Sequence, residues 1–148
     1  MPGDGTICLP DICHISKGDE KRMFEQDYIM RMIHDLVRML AKLLLGKDTV
    51  MYEFPDEAEF TEGDFLYKRI LQLLEAGRIN EAENMLFEGM HTDDLSYFEM
   101  AMDFYTRLNQ LDDAYLEEHD YSREEIEDGI QMAARAFGIS DEVVSMLK

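Results

Sequence analysis

The chain has 148 residues, the size of one domain, and 46% of them are hydrophobic, enough for a core, while 32% are charged. Its 33 acidic residues against 14 basic ones give a net charge of −19. That balance argues against a binder of nucleic-acid backbones, which needs a basic footprint. It favours solubility and, if anything, a basic partner.

Leu and Met outnumber Val and Thr, and there are only three prolines, a bias toward helix over sheet. The expected fold class is all-α: a long N-terminal helix followed by a helical array. Charge is unevenly spread. Residues 1–47 carry seven charges of each sign, so the whole excess of acid lies in residues 48–148. No basic segment followed by an apolar run opens the chain, and no apolar run approaches the roughly 18 residues of a membrane span. The expectation is a cytoplasmic protein.

Residues 1–22 show Gly, Pro and Asp without a helical period and read as a flexible tail. Lys17-Gly18-Asp19 can be encoded as a bacterial ribosome-binding site, which makes Met23 a candidate for the natural start and the tail a translated leader. Cys8, Cys13 and His14 supply three ligands where a structural zinc site wants four, so the tail is a weak metal candidate.

A long amphipathic helix is expected over residues 23–46, starting near Phe24. Ile29, Met32, Ile33, Leu36, Leu40 and Leu43 form its apolar face, with Arg31, Asp35, Arg38 and Lys42 as a narrow polar stripe. So wide an apolar surface needs cover on more than one side. It can be the central core helix, an oligomerisation helix packing on its own copy, or a helix lying on lipid. The acidic remainder disfavours the last. Residues 47–63, with Pro55, several acids and Gly63, read as a linker loop that lets this helix reach a neighbouring subunit, so that a homo-oligomer, with a dimer favoured, is the expected state.

Residues 64–148 read as a helical domain. Asp64 is expected to cap a helix through Glu75, with Leu66, Ile70, Leu73 and Leu74 inward, followed by a turn at Gly77 and a second helix from Asn80 to Glu88. The spacing of Gly77, Ala82, Leu86 and Gly89 resembles the second half of a tetratricopeptide repeat, in which small residues let paired helices approach closely. It does not recur one period later, so it makes a single hairpin. The next helix, Thr92 to Leu108, leaves a thin polar stripe of Ser96, Glu99, Asp103 and Arg107. Residues 109–121 read as acidic and irregular, although Leu111, Ala114 and Tyr115 can extend a helix. Ser122 and Glu125 form a capping box that opens a helix ending at Gly138, and Ser140 caps a short last helix with Val143, Val144 and Leu147 inward.

From Met23 onward, MFEQDYIMRMIHDLVRMLAKLLLGKD, LLEAGRINEAEN and YLEEHDYSREEI resemble a family of short acidic proteins from low-GC Gram-positive bacteria, a domain of unknown function. The resemblance implies no catalytic residue.

Chemistry is sparse. His119, with Glu118 and His91, is the best metal-ligand set, and a weak one, because ligation needs several such groups to converge. The H-E-x-x-H and G-x-S-x-G patterns are both absent. The reading is therefore a protein-interaction or oligomerisation module without enzyme activity or cofactor. Its partners are its own copy or an unknown, basic protein. A metal-dependent enzyme and a peripheral membrane protein are the alternatives.

Overall fold

The computed structural model describes the backbone of residues 17–48 and 50–147, and side chains within 27–48 and 50–146. Cys8, Cys13 and His14 lie outside the described residues. Seven α-helices and no strand occur among the described residues: α1 (Lys17–Leu45), α2 (Glu62–Glu75), α3 (Ile79–Gly89), α4 (Leu95–Asn109), α5 (Asp113–Glu118), α6 (Arg123–Ala136) and α7 (Asp141–Leu147). A 3-10 turn occupies Glu57–Glu59. Contacts divide the chain into residues 1–31 and 32–148. The described part of the first unit is helix.

Helix α1 begins at Lys17, not near Phe24 as the apolar period suggests. Lys, Glu and Arg are good helix formers, and a hydrophobic period cannot register a turn built from them. Within the second unit, Ile33, Leu36, Val37, Leu40 and Ala41 are buried. This side of the helix belongs to the core of its own chain. Lys47, just past the helix, is 2.5 Å from Glu99 of α4.

The segment after α1 is no free linker. The Tyr52 N–H donates to Asp103 on α4 at 3.2 Å, and its hydroxyl donates to Asp64 on α2. Tyr52, Phe54 and Tyr67 form edge-to-face and stacked pairs with centroids 5.4 to 5.9 Å apart. A strap that spends its aromatic rings and a backbone N–H on the domain cannot also serve as a flexible tether.

Helix α2 starts earlier than expected. Thr61 is the N-cap and Asp64 its reciprocal partner: the Thr61 hydroxyl accepts from the Asp64 N–H at 3.2 Å, and the Asp64 carboxylate accepts from the Thr61 N–H at 2.9 Å. Tyr67 and Ile70 fill the core, while Leu66, Leu73 and Leu74 are half-buried. The chain turns at Gly77 (φ +81°), and α3 packs back on α2 with Ile79, Ala82 and Leu86 buried.

Helix α4 is capped by Asp94, whose carboxylate accepts from the Ser96 N–H at 2.9 Å. Ten of its fifteen residues are buried, so it is the hub on which α2 and α6 pack. The stretch expected to be irregular contains α5, capped by Asp112, with Leu116 and Tyr121 buried. Arg123 explains how it holds. The guanidinium, 6% exposed, donates to the Asn109 carbonyl at 2.7 Å, to the Leu111 carbonyl and to Asp113 at 2.9 Å. It thereby satisfies backbone groups that no helix bond reaches.

The Ser122 cap of α6 is half of the expected box. Its hydroxyl accepts from the Glu125 N–H at 3.2 Å, but the Glu125 carboxylate takes the Ser122 hydroxyl rather than the backbone. Helix α7 buries Val144 and leaves Val143 exposed, and its Val143 N–H donates to the Ser140 hydroxyl. The expectation for the Leu147 side chain lies outside the described residues.

Candidate functional site

Acidic groups attract attention first, and the structure divides them by role. Asp103 (4% exposed) accepts from the Tyr67 hydroxyl, the Tyr52 N–H and Arg107 Nε at 2.8 Å. Asp64 (2% exposed) accepts from the Tyr52 hydroxyl and from Thr61. Burial pushes the Asp64 carboxyl up, but the Thr61 N–H and the two hydroxyl bonds outweigh it and hold it below the ordinary range. Burial, reinforced by Asp103, raises the Tyr67 phenol, which stays a donor at any physiological pH. Each acceptor is taken up inside the fold. These buried carboxylates staple the strap to α2 and α4 and are not placed for acid–base work. By sequence alone Asp103 falls in the polar stripe of its helix and Asp64 at a helix start. The signal that could have found them is the pairing of an acid in an apolar helix with Tyr residues elsewhere.

A third carboxylate faces a groove. Tyr105 and Tyr121 both donate to one oxygen of Glu83, at 2.6 and 2.8 Å. Burial first, then the Glu83 charge, raises both phenols. Glu83, Phe87, Glu125, Asp128 and Met132 line a cavity of about 300 Å³ between α3 and α6.

The metal-ligand set does not converge. The ring of His119 lies on Tyr115, centroids 4.2 Å apart, with Nδ1 2.7 Å from the Tyr115 carbonyl oxygen. A carbonyl only accepts, so Nδ1 carries the proton. The other nitrogen faces Gly77, where a Cβ would sit 2.6 Å away. His119 is a lid on the hairpin turn. Glu118 is exposed, and His91 stands against Tyr97 with centroids 5.0 Å apart. No three His, Cys, Asp or Glu side chains are grouped to hold a metal ion among the described residues.

The hairpin residues do come together. Ala82 and Leu86 are fully buried, and Gly89 lies so close to Leu66 that a Cβ would be 2.5 Å from Leu66 Cδ2. Beside this contact, α2, α3 and the start of α4 enclose a groove of about 540 Å³. Phe65, Leu66, Met85 and Tyr97 give it apolar walls, and Glu62, Arg69, Glu88 and His91 give it polar edges. Phe65 is 57% exposed. Burial, then Glu62, raises the Tyr97 phenol, so its hydroxyl remains protonated. An apolar concavity with a few polar groups is the usual form of a binding site.

On α1 the six residues read as one interaction face have separate fates. Ile33, Leu36 and Leu40 are buried in the chain's own core and cannot meet a partner without unfolding. Met32 is half-buried and Leu43 is 56% exposed, as is Met39 beside them at 48%. Ile29 is half-buried, in the unit of residues 1–31. No helix among the described residues is long and apolar enough to cross a membrane.

The profile of a family described as "Family of unknown function (DUF6483)" matches residues 23–138. The match begins at Met23, where the composition of the chain changes. No curated protein and no solved structure matches the chain.

Proposed function

The chain belongs to the DUF6483 family of unknown function, and on that premise we propose that it is a non-enzymatic protein-interaction module, acting in the cytoplasm, whose α2–α3 groove seats a short stretch of a partner protein. The observation that carries this reading is the 540 Å³ groove walled by Phe65, Leu66, Met85 and Tyr97. It accommodates one or two apolar anchor side chains. Glu62 and Glu88 on its edges, together with the net charge of −19, favour a partner with basic residues beside the anchor. The likeness of Gly77, Ala82, Leu86 and Gly89 to a tetratricopeptide hairpin supports the same reading, since such hairpins are interaction architecture.

A displayed library of short peptides tests it. The wild-type chain should enrich sequences with an apolar residue flanked by Lys or Arg, and Phe65→Glu, altered at an exposed position, should lose them while keeping its melting temperature. A wild-type chain that selects no more than the variant would overturn the proposal.

A further inference from the structure

Helix α1 carries more apolar surface than its own core uses. At 3.6 residues per turn, Met32, Met39 and Leu43 fall within one narrow stripe, beside the arc of Ile33, Leu36, Val37, Leu40 and Ala41 that the core takes. Met39 and Leu43 stay about half exposed. Asp35 and Lys42 stand seven residues apart and therefore on the same flank of the stripe. Both are exposed: Asp35 lies 3.8 Å from His34 and Lys42 lies 3.4 Å from Asp48, surface pairs that are exchanged at little cost.

We propose that this stripe is a homodimer interface in which α1 packs antiparallel on α1 of a second copy. The charges select the occupant and the direction. Groups on the same flank of two helices meet only when the helices run antiparallel, and a two-fold axis near residue 38 then sets Asp35 of each copy against Lys42 of the other. The same axis sets Met32 of one copy against Leu43 of the other and brings the two Met39 side chains together. The remainder of the chain repels its own copy, because residues 48–148 carry the entire −19, whereas residues 1–47 sum to zero. Helix α1 is thus the place where two copies can approach. This surface is separate from the α2–α3 groove, and either can fail without the other.

Sedimentation equilibrium on the full chain tests the proposal. The wild type should behave as a dimer. Leu43→Glu and Asp35→Lys should each weaken dimerisation by about tenfold or more, and Asp35→Lys combined with Lys42→Asp should restore it. The reversed pair carries the test even if Leu43→Glu misfolds, since both charged positions are on the surface. A monomeric wild type would overturn the interface, as would a reversed pair no tighter than Asp35→Lys. So would a monomer that sediments with anionic vesicles through Leu43.

Discussion

Tyr105 can reach Glu83 because residue 129 has no side chain: a Cβ on Gly129 would lie 2.2 Å from the Tyr105 hydroxyl oxygen and 2.4 Å from its ring carbon Cζ. The ring is buried and its hydroxyl is bonded, so it has nowhere to retreat. In an exposed helix, Gly→Ala stabilises by about 1 kcal/mol. Here overpacking and the lost bond to a charged group should reverse the sign. Gly129→Ala is expected to destabilise by about 2 kcal/mol in urea unfolding. A gain in stability would show that the helices part freely at this point.

Asp103 gathers three donors from three parts of the chain. Tyr67→Phe removes one and leaves two, an expected loss of about 1 kcal/mol. Asp103→Ala strands the buried Tyr67 hydroxyl, the Tyr52 N–H and Arg107 at once, and should cost about 3 kcal/mol. Equal losses from the two variants, measured by thermal or urea unfolding, would contradict the arrangement.

Arg123 should resist conservative replacement. Its planar fork serves two backbone carbonyls and Asp113 together, which one ammonium group cannot do. Arg123→Lys is expected to destabilise nearly as much as Arg123→Ala, on the order of 3 kcal/mol, with hydrogen exchange rising first across Asp113–Glu118. A lysine variant as stable as the wild type would assign the guanidinium a lesser part.

Acid should loosen the cap of α2. The Asp64 carboxyl is held below its unfolded value, so the folded state binds that proton less readily than the unfolded state. Its contribution to stability is complete above the unfolded pKa of about 3.9 and is lost as pH falls below that value through the folded one. Asp64→Asn should therefore flatten the acid limb of the stability curve. An unchanged limb would mean that Asp64 is not held below its unfolded pKa.

The sequence was most legible where the hydrophobic period is strong. The buried face of α1, the turn at Gly77, and the cores of α3, α4 and α6 follow from three-and-four spacing and from the stop at a glycine. It was least legible where polar residues turn inward. Asp103 occupies a stripe position like that of Ser96 or Glu99, and two of its three donors, Tyr52 and Tyr67, lie 51 and 36 residues away, beyond any local pattern. Arg123 likewise looks like a solvent-facing residue after a cap until its carbonyl partners are seen. Residues 47–63 have no period at all, and an aromatic strap without a period resembles a linker. The α2–α3 groove draws walls from three separate helices, so no local pattern could outline it. On α1 the spacing marks a wide apolar surface but not how much of it the chain covers for itself.

The bond from the Tyr52 amide to Asp103 closes a long excursion of the backbone. The loop must be shut before the bond returns anything, whereas the α2–α3 hairpin forms among near neighbours. Docking of the strap is therefore expected late in refolding, with the Tyr52 amide among the last to gain protection in a pulse-labelling experiment. In the mature protein the same clasp guards the entry to α2, so a protease nick near Pro55 becomes a report on whether assembly has finished.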